Sequence, residues 1–241
     1  MRKLAFAMLG LALLPLGARV AASAPQQHAA EQHEAVTSRA HVYLMRGLMN
    51  IFSLGMDSLG AQIQHHGISA SVYNHSMADS VVGDIISKYR AGDHGPYILI
   101  GHSLGADAVM QMAQMLNHAG VPVALVIPFD GTGSYGATGN VACVLNLTQR
   151  NYAYMRAAPG FHGQLSNVNV ASSGVDHFTI DKSPQLQARA LSAVISAASG
   201  HSCRNGAAEP AVARPAEPGE PAAKPAEKTA SPVVHTGDAA E

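Results

Sequence analysis

The chain has 241 residues, 47% hydrophobic and 13% charged, with 15 Lys+Arg against 16 Asp+Glu for a formal net charge of -1. That balance, with no Trp and no basic stripe, excludes a protein whose affinity comes from neutralising phosphates, so no nucleic-acid partner is expected. The apolar fraction excludes a wholly disordered chain, and the 13 His are scattered without a metal-ligand spacing such as H-E-x-x-H. Neither a metal nor a cofactor is expected.

Met1-Arg2-Lys3 precedes an almost wholly apolar run from Leu4 to Gly17, and Ala22-Ser23-Ala24 offers small residues for cleavage, so residues 1–24 read as a signal peptide. The run is shorter than the ~20 residues that span a bilayer, which predicts export to the periplasm or medium with no stable membrane span after cleavage. From Gly206 to Glu241 the composition becomes Ala, Pro, Glu and Lys, which reads as a disordered tail with little to bury. Residues 25–205 remain as one domain of ordinary size. The two cysteines, Cys143 in an apolar run and Cys203 after the last helical segment, either form one disulfide or leave Cys143 as a buried thiol; spacing alone leaves both open.

In chain order the periodicity predicts a strand over His41 to Met45, a helix over Met56 to His66, a strand over Ile68 to Tyr73 and a helix over Ala78 to Arg90. A strand over Tyr97 to Gly101 leads into a helix over Leu104 to His118. Strands over Val121 to Phe129 and Val141 to Leu147 follow, then a weaker one over Val168 to Ala171. A last helix runs from Pro184 to Ala198 with Ser183 as N-cap. Strands apolar throughout are covered on both faces. The pattern is α/β: a mostly parallel sheet with helices on both faces and a site at the carboxyl ends of its strands.

Gly101-His102-Ser103-Leu104-Gly105 is a G-x-S-x-G run placed between an apolar strand and a helix. A sharp strand-to-helix turn leaves no room for a Cβ at the flanking positions and lifts the serine hydroxyl above the sheet edge, so Ser103 is the candidate nucleophile. Serine needs a base held in one tautomer by an acid, and in nucleophile-elbow enzymes the chain order is Ser, acid, His. His118 ends the elbow helix and His201 trails the last one. His177, in the loop before the last helix, is preferred over His162 as base. Between Ser103 and His177 the only carboxylates are Asp107, inside the elbow helix, Asp130, at the end of the next strand, and Asp176, beside the histidine it would have to face. Asp130 is therefore the candidate acid. The oxyanion N–H groups are expected from Leu104 and, in the loop after the first strand, Leu48.

Met45-Arg46-Gly47-Leu48, the elbow, Phe129-Asp130-Gly131 and Asp176-His177-Phe178 together resemble the α/β-hydrolase superfamily over about residues 42–198. An acid on the strand directly after the elbow helix resembles its thioesterase-type members; one strand later the chain reads Thr148-Gln149-Arg150-Asn151, without a carboxylate. The resemblance implies an α/β-hydrolase fold. Gly131 to Asn140 is ten residues and Asn151 to Gln164 fourteen, too short for a helical cap, so an open pocket is expected. Tyr152, Tyr154, Met155 and Phe161 either wall an acyl chain or pack their loop down. Gly131-Thr132-Gly133-Ser134-Tyr135-Gly136 satisfies G-x-G-x-x-G, but no helix follows it, which argues against nucleotide binding. The sequence reading is an exported serine hydrolase of carboxylic esters or thioesters acting on a small or lipid-like acyl substrate. Its rival is a non-catalytic binding protein of the same fold.

Overall fold

The computed structural model describes residues 39–48 and 53–201. The expected signal peptide, the expected tail and Cys203 lie outside the described residues.

Twelve elements follow one another: β1 (His41–Arg46), α1 (Leu54–His65), β2 (Ser69–Asn74), α2 (Ala78–Arg90), β3 (Tyr97–His102), α3 (Leu104–His118), β4 (Leu125–Phe129), β5 (Gly136–Ala137), β6 (Cys143–Thr148), β7 (Arg156–Ala157), β8 (Gln164–Asn169) and α4 (Pro184–Ala198), with short 3-10 turns between some of them. Six strands form one sheet in the order β2-β1-β3-β4-β6-β8, every pairing parallel. Strands β5 and β7 pair separately.

The strands' period of two divides the core between the two faces. Val42, Leu44, Ile98, Ile100 and Phe129 pack with Met56, Leu59 and Ile63 of α1 and Val194 of α4. Tyr43, Met45, Leu99 and Val126 turn the other way, onto Val81 and Ile85 of α2 and Val109, Met112 and Leu116 of α3. The wholly apolar runs β3 and β4 are buried at every position, as a two-sided strand requires.

The structure departs from the sequence reading at several boundaries and at one cap. The strand expected over Val121 to Phe129 begins at Leu125; Pro122 has no N–H for the ladder, and Val123 makes only an isolated bridge to Val141. The strand expected over Val168 to Ala171 lies earlier, at Gln164–Asn169. It is the sheet's edge and its side chains are mostly half-buried, so its apolar content is too low to mark it. Ser183 occupies the N-cap position of α4, ahead of Pro184, but its hydroxyl bonds the Gln185 side chain instead of capping the helix. Between Gly131 and Gly163 the chain holds only β5, β6, β7 and a three-residue 3-10 turn, so no helical cap stands over the sheet there.

Cys143 is disulfide-bonded. The sequence has one other cysteine, Cys203.

Candidate active site

Strand β3 ends at His102 and α3 begins at Leu104, leaving Ser103 alone to reverse the chain with φ 58° and ψ -122°. An L-residue is held at such a positive φ only where its surroundings over-determine it. A Cβ on Gly101 would lie 2.1 Å from the Gly105 carbonyl oxygen, and one on Gly105 would lie 2.0 Å from the Met45 carbonyl oxygen. Both flanking glycines are therefore required by backbone contacts on either side of the turn. The Ser103 N–H donates to the Phe129 carbonyl at 2.9 Å, tying the elbow to β4.

Asp130 follows β4 directly, is fully buried and has a φ of 47°. Its Oδ1 accepts hydrogen bonds from Thr148 Oγ1 and the Gln149 N–H, both at 3.1 Å, and its Oδ2 accepts from His177 Nδ1 at 2.7 Å. Burial alone would push this carboxyl up; the bonds from His177, Gln149 and Thr148, with Arg150 Nη2 at 3.6 Å, overcome it and hold the carboxyl below its usual range. With Nδ1–H committed to Asp130, the unprotonated Nε2 of His177 faces Ser103 Oγ at 3.0 Å and accepts from it. Three side chains separated by up to 74 positions thus meet in one hydrogen-bonded line at the carboxyl ends of β3 and β4. This parallel sheet with a strand–serine–helix turn at its carboxyl edge resembles the α/β-hydrolase fold that the sequence implies.

No family model matches the chain, and no curated protein matches it. Among solved structures it is similar to a cutinase-like protein from Cryptococcus sp., at 16% identity and a TM-score of 0.46 over 68% of this chain and 96% of that one. It is also similar to a protein assigned to the alpha/beta superfamily of hydrolases from Xanthomonas campestris pv. campestris, at 16% identity and a TM-score of 0.37 over 66% and 96%.

The carboxylates and histidine set aside in the sequence have other places. Asp107 is buried and accepts from the Thr132 N–H and hydroxyl, which fastens the glycine-rich loop after β4 to α3. Asp176 is exposed and accepts from the Phe178 N–H and Thr179 hydroxyl, each at 2.9 Å, closing the turn that carries His177. His162 lines a groove with Pro96, Pro122 and Ala142, at the amino ends of the strands and so at the edge opposite Ser103. Of the loop residues that could have walled an acyl chain, Met155 is buried and Phe161 packs beside it in the core on the α2 and α3 face, while Tyr152 is 66% exposed. Met155 and Phe161 thus pack the loop down.

Leu104 opens α3 next to Ser103, and Leu48, 60% exposed, stands just past β1. Gly47 packs against the elbow: a Cβ there would lie 2.9 Å from both the His102 carbonyl oxygen and Ser103 Cβ. Beside Leu104 opens a groove of about 450 Å³ lined by His75, Asp79, Gln111, Thr132 and Tyr135 among others.

Sequence reasoning missed what lies beneath the line of three. His102 is 1% exposed; its Nε2 donates to the His177 carbonyl at 2.8 Å, and its Nδ1 lies 2.8 Å from Ser53 Oγ. Asp181 is fully buried, accepts from the Gly55 N–H at 3.0 Å, and has its Oδ2 3.9 Å from His102 Nδ1. Burial pushes the Asp181 carboxyl up to about 6, against the opposing pull of Lys182 and the Gly55 bond. Burial likewise pushes the His102 imidazole down to about 4. In both groups burial disfavours the charged form.

Proposed function

We propose that the protein is a serine hydrolase that cleaves carboxylic esters, with thioesters as the sulfur counterpart, through an acyl-enzyme on Ser103. The observation that carries this reading is the unbroken line Ser103 Oγ, His177 Nε2, His177 Nδ1 and Asp130 Oδ2, with contacts of 3.0 and 2.7 Å. As Ser103 Oγ attacks the ester carbonyl, His177 Nε2 takes its proton, and the ionised Asp130 stabilises the imidazolium without itself becoming protonated. The carbonyl oxygen becomes an oxyanion. The N–H of Leu104, one of the first-turn donors of α3 that have no intrahelical acceptor, faces that charge, with the Leu48 N–H as the second donor. Collapse breaks the C–O or C–S bond, His177 returns its proton to the leaving alcohol or thiol, and a water activated by the same imidazole then releases the acid.

The groove beside Leu104 supports a short or hydroxyl-bearing substrate over a long alkyl chain, because its walls include His75, Asp79, Gln111 and Thr132, while Met155 and Phe161 pack into the core. The disulfide at Cys143 supports an oxidising compartment, in keeping with the expected export.

The test is a fluorophosphonate probe with p-nitrophenyl esters and acyl-CoA in parallel. Wild type is expected to label and to turn over acetate and butyrate esters with higher kcat/KM than laurate, and Ser103→Ala is expected to lose labelling and at least ~1,000-fold in kcat. Labelling that persists in Ser103→Ala overturns the nucleophile. A kcat/KM that climbs through octanoate and laurate overturns the substrate range alone.

A further inference from the structure

We propose that His102, the residue before the nucleophile, is a positioning residue: a buried neutral imidazole that hangs the backbone of His177 from the loop following β1. This rests on the serine-hydrolase reading and deepens it, since the ring touches no reacting atom.

The direction of each hydrogen bond follows from what its partners can do. The His177 carbonyl can only accept, so His102 Nε2 carries the hydrogen in their 2.8 Å contact. The other ring nitrogen is then a bare acceptor, and the Ser53 hydroxyl donates to it at 2.8 Å. Ser53 Oγ in turn accepts the Gly47 N–H at 2.9 Å. One chain results, from Gly47 N–H through Ser53 O–H and His102 Nε2–H to the His177 carbonyl, with every donor matched to one acceptor. Burial of the ring at 1% exposure disfavours the charged form. The charged or titratable groups nearest it are Asp181, with Oδ2 3.9 Å from Nδ1, the His177 ring, with centroids 5.1 Å apart, Lys182 and Asp130.

The consequence is geometric. His177 reaches Ser103 and Asp130 with one ring, so a rotation of its peptide swings both ring nitrogens away from their partners together. On the solvent side the turn is closed by the exposed Asp176 and Thr179; on the protein side the His102 bond pins the His177 carbonyl itself. The same imidazole reaches the elbow, because His102 precedes Ser103, and the loop after β1, through Ser53 and Gly47. Leu48, the expected oxyanion donor, is the next residue. The nucleophile, the base and the oxyanion loop are therefore registered to one another by a single ring.

The experiment uses the full chain, with folding of each variant checked by circular dichroism and kcat and KM measured on p-nitrophenyl acetate across pH. His102→Phe removes both bonds at similar volume and is expected to lower kcat about 10- to 100-fold with KM within about twofold, the range a displaced catalytic group produces. His102→Gln, whose amide can still donate to the His177 carbonyl, is expected to recover most of kcat. Ser53→Ala, which cuts only the link to Gly47, is expected to lower kcat several-fold at unchanged KM.

A His102→Phe enzyme with kcat within about threefold of wild type overturns the proposal, as does a loss that His102→Gln does not recover. If His102→Phe fails to fold, an unchanged kcat in Ser53→Ala overturns it. Nitrogen-15 NMR of the wild type reads the His102 tautomer without any turnover: Nε2–H at neutral pH supports the proposal, and a doubly protonated ring rejects it. Absence of fluorophosphonate labelling in wild type would instead overturn the hydrolase reading, leaving the NMR result to judge the strut by itself.

Discussion

The two halves of the sheet are built differently. From β1 to β4 every crossing between successive parallel strands is made by a helix, α1, α2 or α3, whereas β4 to β6 and β6 to β8 are joined by loops that carry only the two-residue strands β5 and β7 and one three-residue 3-10 turn. The helix-backed half supplies Ser103, the candidate nucleophile, because a sharp strand-to-helix turn needs a helix to enter. The loop-joined half, with the segment leading to α4, supplies the partners: Thr148, Gln149 and Arg150 around Asp130, and His177 itself. The serine is therefore held by backbone packing and the histidine by hydrogen bonds. Packing is the more rigid constraint, and that difference tells where each half breaks.

The sharpest attack falls on the border, at Asp130. In Asp130→Asn the amide oxygen is drawn to the Thr148 hydroxyl and Gln149 N–H, which places the NH2 group against His177 Nδ1. The imidazole must then carry its hydrogen on Nε2, facing Ser103, and kcat is expected to fall on the order of 10,000-fold with little change in thermal stability, measured by ester turnover and melting.

Gly105→Ala strikes the helix-backed half. Its Cβ would lie 2.0 Å from the Met45 carbonyl oxygen and 3.0 Å from the Arg46 carbonyl carbon, both backbone, so the elbow or β1 must shift. A loss of about 3 kcal/mol or more is expected in denaturant unfolding, together with loss of fluorophosphonate labelling. A stable, labelled variant would mean that the elbow is less tightly packed than the hydrogen-bonded half.

Asp181→Asn gives the smallest of these effects and reads the buried layer beneath both halves. With a folded value of about 6 against an ordinary 3.8, the folded state binds more protons between those values, so the group lowers stability as pH rises from about 4 to about 6 and keeps it lowered above. The variant is expected to melt like wild type below pH 4 and to gain up to about 3 kcal/mol above pH 6. His102, held near 4 against an ordinary 6.5, has the opposite sign, losing stability as pH falls through nearly the same window. The contributions of these two groups should therefore nearly cancel across that window in wild type, and the variant should keep only that of His102.

The candidate set Ser103, Asp130 and His177 can be read from the chain because few residues compete: the elbow motif names the serine, and elimination of Asp107, Asp176 and His162 leaves the other two. Their distances cannot be read. Asp107 and Asp176 prove to be loop fasteners, roles that leave no signature beyond a carboxylate near a turn. His102 stands inside the motif and still gives no signal, since its partners Ser53 and His177 are 49 and 75 positions away. Strand β8 lies ahead of the range that the sequence predicts because an edge strand with one open face carries a weaker apolar pattern than β3 or β4.

Apolar periodicity, glycine placement and helix caps are local properties, and from them the order of elements, the two-sided sheet and the strand–serine–helix turn follow without any knowledge of contacts. Which side chains share a hydrogen, and which ionisable groups lose their water, depends on loops from distant parts of the chain meeting at one sheet edge. The tertiary structure alone decides that, because desolvation and hydrogen-bond geometry act through space and vary over distances shorter than a single residue.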